Sequence, residues 1–277
     1  MLTEFIKYQS LGNDFILFDW TRRCEELIYE MIVDSQWKPR VVSLCDRHTG
    51  IGADGVLLLK NRSDSTIEML VYNSDGSQAE ICLNGIRCCA HYLYHCDKNT
   101  QVFQIRCGVQ SIVNEILPSD RILTRIAAPV YEHSLSVSTQ EGIFNGHRVH
   151  AGNPHFVVFE KNELSSLSRH GVLIERHPLF PQKTNVEFVW KDNEEDHSTY
   201  RVLVYERGCG ITLACSSGAA AIMKAMHQLG MIHAEKRIKL AMLGGILECM
   251  ISLEGFVSLI GKAHRVFSGI SYQPASE

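Results

Sequence analysis

Short apolar runs broken by Gly, Asp, Asn and Ser dominate this chain. FILFDW, GVLLLK, TIEMLVYN, VFQIRC and ILTRI fall in the first half. HFVVFE, VEFVW, YRVLVYE, IKLAML, LECMISL and FVSLIG fall in the second. Runs of that length, rich in β-branched and aromatic residues, predict strands. Two segments carry a helical period instead. In LNGIRCCAHYLYHC (83–96), Ile86, Cys89 and Ala90, Leu93 and Tyr94 repeat at helical spacing; SSGAAAIMKAMHQLG is nearly all helix formers and is expected to stop at Gly230. Only Lys224 is charged in the second segment, which predicts burial on most sides. The pattern is that of an α+β protein in which each half is a mostly antiparallel, barrel-like sheet around one central helix.

The halves repeat one plan. VYNSDGSQAEICLNGIRCCAHYL (71–93) lies over VYERGCGITLACSSGAAAIMKAM (204–226) without a gap, setting Cys82 on Cys215 and Gly85 on Gly218. GNDFILF at Gly12 resembles GNPHFVVF at Gly152 with one inserted residue, and Arg47-His48 recurs as Arg176-His177. Three blocks in one order, at offsets of 140, 133 and 129 residues, indicate internal duplication with too long a period for a solenoid. The expected domains are residues 1–127 with Cys82 and 128–261 with Cys215, with 262–277 returning to the first. The junction is expected in APVYEHSLSVSTQEGIFNGH (128–147).

Composition narrows the function. A net charge of -4 over 277 residues offers no basic field for nucleic acid and no polybasic stretch for a membrane surface. No basic n-region with an apolar run opens the chain, and no run of apolar residues reaches membrane-spanning length, so a cytoplasmic protein is expected. The ten cysteines are then reduced thiols, without the C-x2-C pairs of a zinc site. Cys24, Cys45, Cys96, Cys107 and Cys249 read as small buried hydrophobes. Gly50, Gly52 and Gly55 spell G-x-G-x-x-G, but CDRHT precedes them and the strand-like VLLLK follows, which is the wrong context for a dinucleotide site. No lysine constellation for pyridoxal phosphate is evident.

Cys82 and Cys215 differ from the other thiols because each stands at a helix start. Free N–H groups and the helix dipole there favour an anion, so a depressed thiol pKa is expected, along with a grip for a carboxylate. A tetrahedral carbon held between two such thiols loses its proton to one face and regains one on the other. That inverts its configuration with no cofactor and no metal formally needed, the carbanion being stabilised by helix-start N–H donors.

NSDGSQAEICLNGIRC and ERGCGITLACSSGA, with LGNDF, GNPH and TNVEF, resemble the motifs of the diaminopimelate epimerase family over essentially the whole length. The resemblance implies a cofactor-independent isomerase that interconverts L,L- and meso-diaminopimelate in lysine and peptidoglycan synthesis, commonly a homodimer, with a small-molecule amino-acid substrate as its partner. Carried over by position, Cys82 and Cys215 are the paired acid and base, with His155 and Glu206 tuning the thiols. Asn13, Asn73, Asn153 and Asn185 become substrate-contacting amides, and Glu206 and Arg207 take the substrate ammonium and a carboxylate. The backbone amides of Leu83, Asn84, Ser216 and Ser217 hold the reacting carboxylate.

The chain departs from the pattern at several places. Leu83 stands where glycine is usual, Cys209 and Ile211 alter a GAGET-like loop, and Ser216-Ser217 replaces Gly-Thr or Gly-Ser. Phe267 replaces a tyrosine of the dimer contact. These changes alter pocket volume and loop freedom, so a side activity on glutamate is expected. The alternatives are a related two-cysteine racemase of the proline type, a thiol redox protein, or a non-catalytic binding module.

Overall fold

The computed structural model describes residues 2–23, 29, 32–61, 66–191 and 198–272; Cys24 lies outside them. The chain divides into two compact units. One runs from the N-terminus to Thr124 and resumes at Lys262; the other is Arg125–Gly261.

The first unit contains β1 (Leu2–Ser10), β2 (Asn13–Asp19), α1 (Trp37–Cys45), β3 (Gly55–Asn61), β4 (Ile67–Asn73), β5 (Gln78–Ala79), α2 (Leu83–Cys96), β6 (Val102–Cys107) and β7 (Gln110–Leu117). β8 (Arg121–Ala127) carries the chain across the boundary. The second unit contains β9 (Val130–Thr139), β10 (Gly142–His150), β11 (Pro154–Val158), α3 (Leu164–Glu175), β12 (Asn185–Trp190), β13 (Thr199–Glu206), β14 (Gly210–Thr212), α4 (Ser216–Gln228), β15 (Ile238–Met242), β16 (Gly245–Ile251) and β17 (Phe256–Lys262). β18 (His264–Tyr272) pairs antiparallel with β1 and so returns to the first unit.

The ladders repeat the duplication. In the first unit β1 and β2 pair antiparallel, β2 and β3 parallel, β3 and β4 antiparallel, β4 and β6 parallel, and β6 and β7 antiparallel. In the second unit β10 to β16 follow the same alternation through β11, β12, β13 and β15. The sheets are mostly antiparallel, with parallel pairs at equivalent places. Helix α2 touches β1, β2, β4, β6, β7 and β18, and α4 touches β9, β10, β11, β12 and β16, so each sheet curls around one central helix.

Two-residue alternation assigns the sheet faces. In the second unit Phe156, Val158, Val186 and Phe188 pack with Leu167 and Ile174 of α3. Residues 155, 157, 185 and 187 therefore point to the opposite face, toward α4. In the first unit Ile16, Phe18, Val56 and Leu58 pack with Trp37 and Val41 of α1, leaving Phe15, Leu17 and Leu57 for α2. Both faces are buried, which is why these strands read as continuous apolar runs.

Several elements differ from the sequence expectation. Segment 128–147 forms most of an antiparallel hairpin, β9 with β10, inside the second unit. Its alternate Ser and Thr residues face outward and only Val137 of β9 is fully buried, so the stretch has the low hydropathy of a linker. Helices α1 and α3 were not anticipated. α1 contains Pro39 and adjacent valines, α3 contains Gly171, and each buries a narrow stripe, Trp37, Val41 and Cys45 in one and Leu167, Gly171 and Ile174 in the other. The G-x-G-x-x-G stretch joins helix α1 to strand β3, the reverse of the order a dinucleotide site requires. Cys45, Cys107 and Cys249 are buried, whereas Cys96, expected inside, is exposed at the last residue of α2. Among the described residues no helix is long and apolar enough to cross a membrane.

Candidate active site

Cys82 and Cys215 are the N-cap residues of the two central helices. Each has extended backbone angles, and each sulfur accepts from the N–H three residues on: Gly85 to Cys82 Sγ at 3.4 Å, Gly218 to Cys215 Sγ at 3.3 Å. Cysteine is not among the preferred N-caps, where Ser, Thr, Asp and Asn satisfy the free N–H groups best. Glycine at the third helical position is a matter of room. A Cβ on Gly85 would come within 2.7 Å of Leu57 Cδ2, and one on Gly218 within 2.6 Å of Glu187 Oε1.

Around Cys82 the first unit assembles Asn13, Asn73, Leu83 and Asn84. Asn13 opens β2, where its Nδ2 donates to Asp54 Oδ2 at 3.0 Å and its Oδ1 accepts from Asn84 Nδ2 at 3.4 Å. Asn84 also accepts from the fully buried Arg87, a short bond one turn along α2. Asn73 ends β4 opposite Gly55, and its Nδ2 donates to Ser77 Oγ at 3.0 Å. Leu83 is buried in the first turn of α2. A charged frame that was not apparent from the sequence supports Asn13. Arg47 bridges Asp14 (2.7 Å) and Asp54 (2.8 Å), and Lys7 meets Asp14 at 2.6 Å. Burial opposes ionisation of Asp14, but hydrogen bonds from Arg47 and Lys7 overcome it and hold its carboxyl at about 2.

Around Cys215 the second unit assembles Asn153, His155, Asn185, Glu206, Arg207, Ser216 and Ser217. Ser216 is buried, and Ser217 Oγ lies 3.3 Å from Cys215 Sγ. Glu206 ends β13, accepts from Thr212 Oγ1 at 2.6 Å and hydrogen-bonds the Cys215 thiol. Asn185 is buried with both ends of its carboxamide engaged: Nδ2 donates to Pro154 O at 2.9 Å, and Oδ1 accepts from Arg207 N at 2.9 Å. It ties the GNPH loop to the loop after β13. The Arg207 side chain is exposed, with Nη1 3.3 Å from Gln182 O.

The expectation of a depressed thiol pKa fails for Cys215. Burial first, then the carboxylates of Glu206 and Glu187, push this thiol well above its ordinary value, outweighing hydrogen bonds from Ser217 and Gly218 N–H. Glu206 is itself pushed up, chiefly by burial and next by Glu187. Helix-start N–H groups act over about one turn, and in a dry site flanked by carboxylates desolvation is the larger effect. At rest the Cys215 thiol carries its proton.

Sequence reasoning passed over Glu187. It lies fully buried in β12, with Oε1 2.7 Å from His155 Nδ1, while His155 Nε2 lies 2.9 Å from Asn153 Oδ1. The available signal was an acid in the middle of the apolar run VEFVW, where a carboxylate needs a buried partner.

Solved structures share this architecture. A hydroxyproline epimerase from Agrobacterium vitis superposes with a TM-score of 0.73 at 12% identity, covering 97% of this chain and 92% of that one. A phenazine biosynthesis protein from Bacillus anthracis does so with 0.71 at 10%, covering 99% and 100%. At such identities the likeness is one of fold. Sequence relatives are much nearer. The diaminopimelate epimerase of Carboxydothermus hydrogenoformans is 35% identical over 282 residues, covering 96% of this chain and 98% of that protein. That of Synechococcus elongatus is 35% identical over 289 residues, covering 97% and 98%. A family model described as diaminopimelate epimerase matches residues 5–116 and 148–266. The protein is an isomerase of the epimerase class. Both segments of the match carry one of the N-cap cysteines, and the chain belongs to the diaminopimelate epimerase family.

Proposed function

We propose that this enzyme interconverts L,L- and meso-diaminopimelate, with Cys82 and Cys215 as the two bases that exchange the α-proton on opposite faces. The observation that carries this reading is the repeated N-cap thiol, each sulfur hydrogen-bonded to the glycine N–H of its own helix start. Helix-start N–H groups beside each thiol suit the α-carboxylate, whose charge grows as the carbanion forms. Cys215, protonated at rest, donates to one face, and a thiolate at Cys82 removes the proton from the other. Glu206 accepts a hydrogen bond from the Cys215 thiol at rest and contacts the substrate ammonium. Arg207, exposed at the end of β13, binds the distal carboxylate bidentately. Asn13, Asn73, Asn153 and the first-turn amides of Leu83, Asn84, Ser216 and Ser217 supply the remaining contacts.

Turnover of L,L-diaminopimelate in D2O tests the reading. Wild type is expected to give meso product with solvent deuterium at one α-carbon. Cys82→Ala and Cys215→Ala should each abolish epimerisation, because one base cannot serve both faces; near-normal turnover in either variant would refute the two-base mechanism. The bulkier Leu83 and the serines after Cys215 support a weak side reaction on glutamate, tested by racemisation of L- and D-glutamate. We place the protein in the cytoplasm as a homodimer, with the exposed Val266, Phe267 and Ile270 of β18 in the contact. Phe267→Asp should halve the mass seen by light scattering.

A further inference from the structure

We infer that Glu187 is a positioning residue for the epimerase: its carboxylate fixes the ring of His155, and through it Asn153, beside the helix start that carries Cys215. The role in turnover rests on the function proposed above; the pairing of Glu187 with His155 stands on geometry alone.

The two halves of the molecule provide an internal control. Phe15 pairs with Gly55 and Leu17 with Leu57 in the first unit, as His155 pairs with Asn185 and Val157 with Glu187 in the second. Leu57 lies against Gly85 of α2, as Glu187 lies against Gly218 of α4. Phe15 and Leu57 thus occupy the slots of His155 and Glu187, and both are buried apolar side chains. The fold closes equally well with hydrocarbon in this place. A buried carboxylate–imidazole pair is expensive to desolvate and is often matched or surpassed in stability by apolar residues of similar size. Its presence in one half alone points to chemistry, because packing needs are already met by Phe and Leu in the other.

The geometry supplies the role. Glu187 Oε1 and His155 Nδ1 are 2.7 Å apart, and both side chains are fully buried. An ionised carboxylate only accepts, so Nδ1 carries a proton; Nε2, 2.9 Å from the Asn153 carboxamide, donates to Oδ1 when the ring is an imidazolium and accepts from Nδ2, with the carboxamide turned over, when it is neutral. The imidazole is therefore held at both ends. Glu187 Oε2 has no hydrogen-bond partner among the described residues, so the carboxylate depends on His155 for its pairing. The titratable groups beside this pair are Glu206 from β13, which interacts with Glu187, His155 and Cys215, and Cys215 at the start of α4, which interacts with Glu206 and Glu187.

Nitrogen-15 NMR of histidine in the full-length enzyme, with His155 assigned by its loss in His155→Gln, tests the pairing without substrate. Neutral His155 should be the Nδ1–H tautomer in wild type, with its Nδ1–H resonance moved downfield by the hydrogen bond to the carboxylate, and Glu187→Gln should move that resonance upfield as the anionic acceptor is lost. With L,L-diaminopimelate, kcat of Glu187→Gln should fall about tenfold or more while KM changes little. Glu187→Leu combined with His155→Phe, the pair used in the first unit, should fold with an undiminished Tm and lose turnover. A neutral Nε2–H tautomer in wild type overturns the proposal without any variant. So does Glu187→Gln with an unchanged kcat and an unchanged Nδ1–H resonance. If wild type fails to turn over L,L-diaminopimelate while the NMR results hold, the substrate assignment falls and the Glu187–His155 pairing stands.

Discussion

Gly218 stands between two functions: its N–H donates to Cys215 Sγ at 3.3 Å, while the space where a Cβ would sit is filled by Glu187 Oε1 at 2.6 Å. The helix start and the buried carboxylate approach each other only because this residue has no side chain.

Gly218→Ala should therefore cost about 1–3 kcal/mol of stability by overpacking and displace the carboxylate from His155. Urea unfolding and turnover should fall together. In Gly85→Ala the obstacle is Leu57 Cδ2, the end of a hydrocarbon side chain that no hydrogen bond holds, so its loss of turnover should be the smaller of the two. Equal losses of turnover would contradict this account.

Cys215→Ser should separate stability from activity. Serine is a better N-cap than cysteine, so stability should be unchanged or higher by about 0–1 kcal/mol. Epimerisation should be lost, because a hydroxyl in this site is far too weak an acid to exchange the proton. A marked drop in Tm would mean that the thiol fills space rather than capping the helix.

The protonated state of Cys215 is open to chemical labelling. Since burial, Glu206 and Glu187 push the thiol up, its alkylation by iodoacetamide should still be accelerating above about pH 9, where an ordinary thiol is already largely ionised. Peptide mass spectrometry gives the rate for this cysteine alone. A plateau below about pH 8 would show that the helix start dominates after all.

Asp14 makes a prediction about acid. Its folded carboxyl, at about 2, lies below the ordinary value of the unfolded chain, so the stabilisation is complete above about pH 4 and is lost as pH falls toward 2. Asp14→Asn should be less stable than wild type near neutrality, and the gap should close across that acid window. A gap in urea midpoint that stays constant down to about pH 2 would rule out the ionic origin.

The sequence by itself determined what depends on near neighbours. The spans of α2 and α4 follow from helical periodicity and a capping residue, and the repetition of the plan follows from three matching blocks. Most strands follow from apolar runs that both faces of the sheet require. Hairpin β9–β10 was hidden because its outward face is polar, and α1 and α3 because proline, glycine and β-branched residues blur a narrow buried stripe. Tertiary structure alone decided the acidity of Cys215 and the role of Glu187. Both depend on carboxylates brought together from β12 and β13 against the start of α4. Desolvation and charge pairing are set by distance in space, and spacing along the chain does not encode that distance.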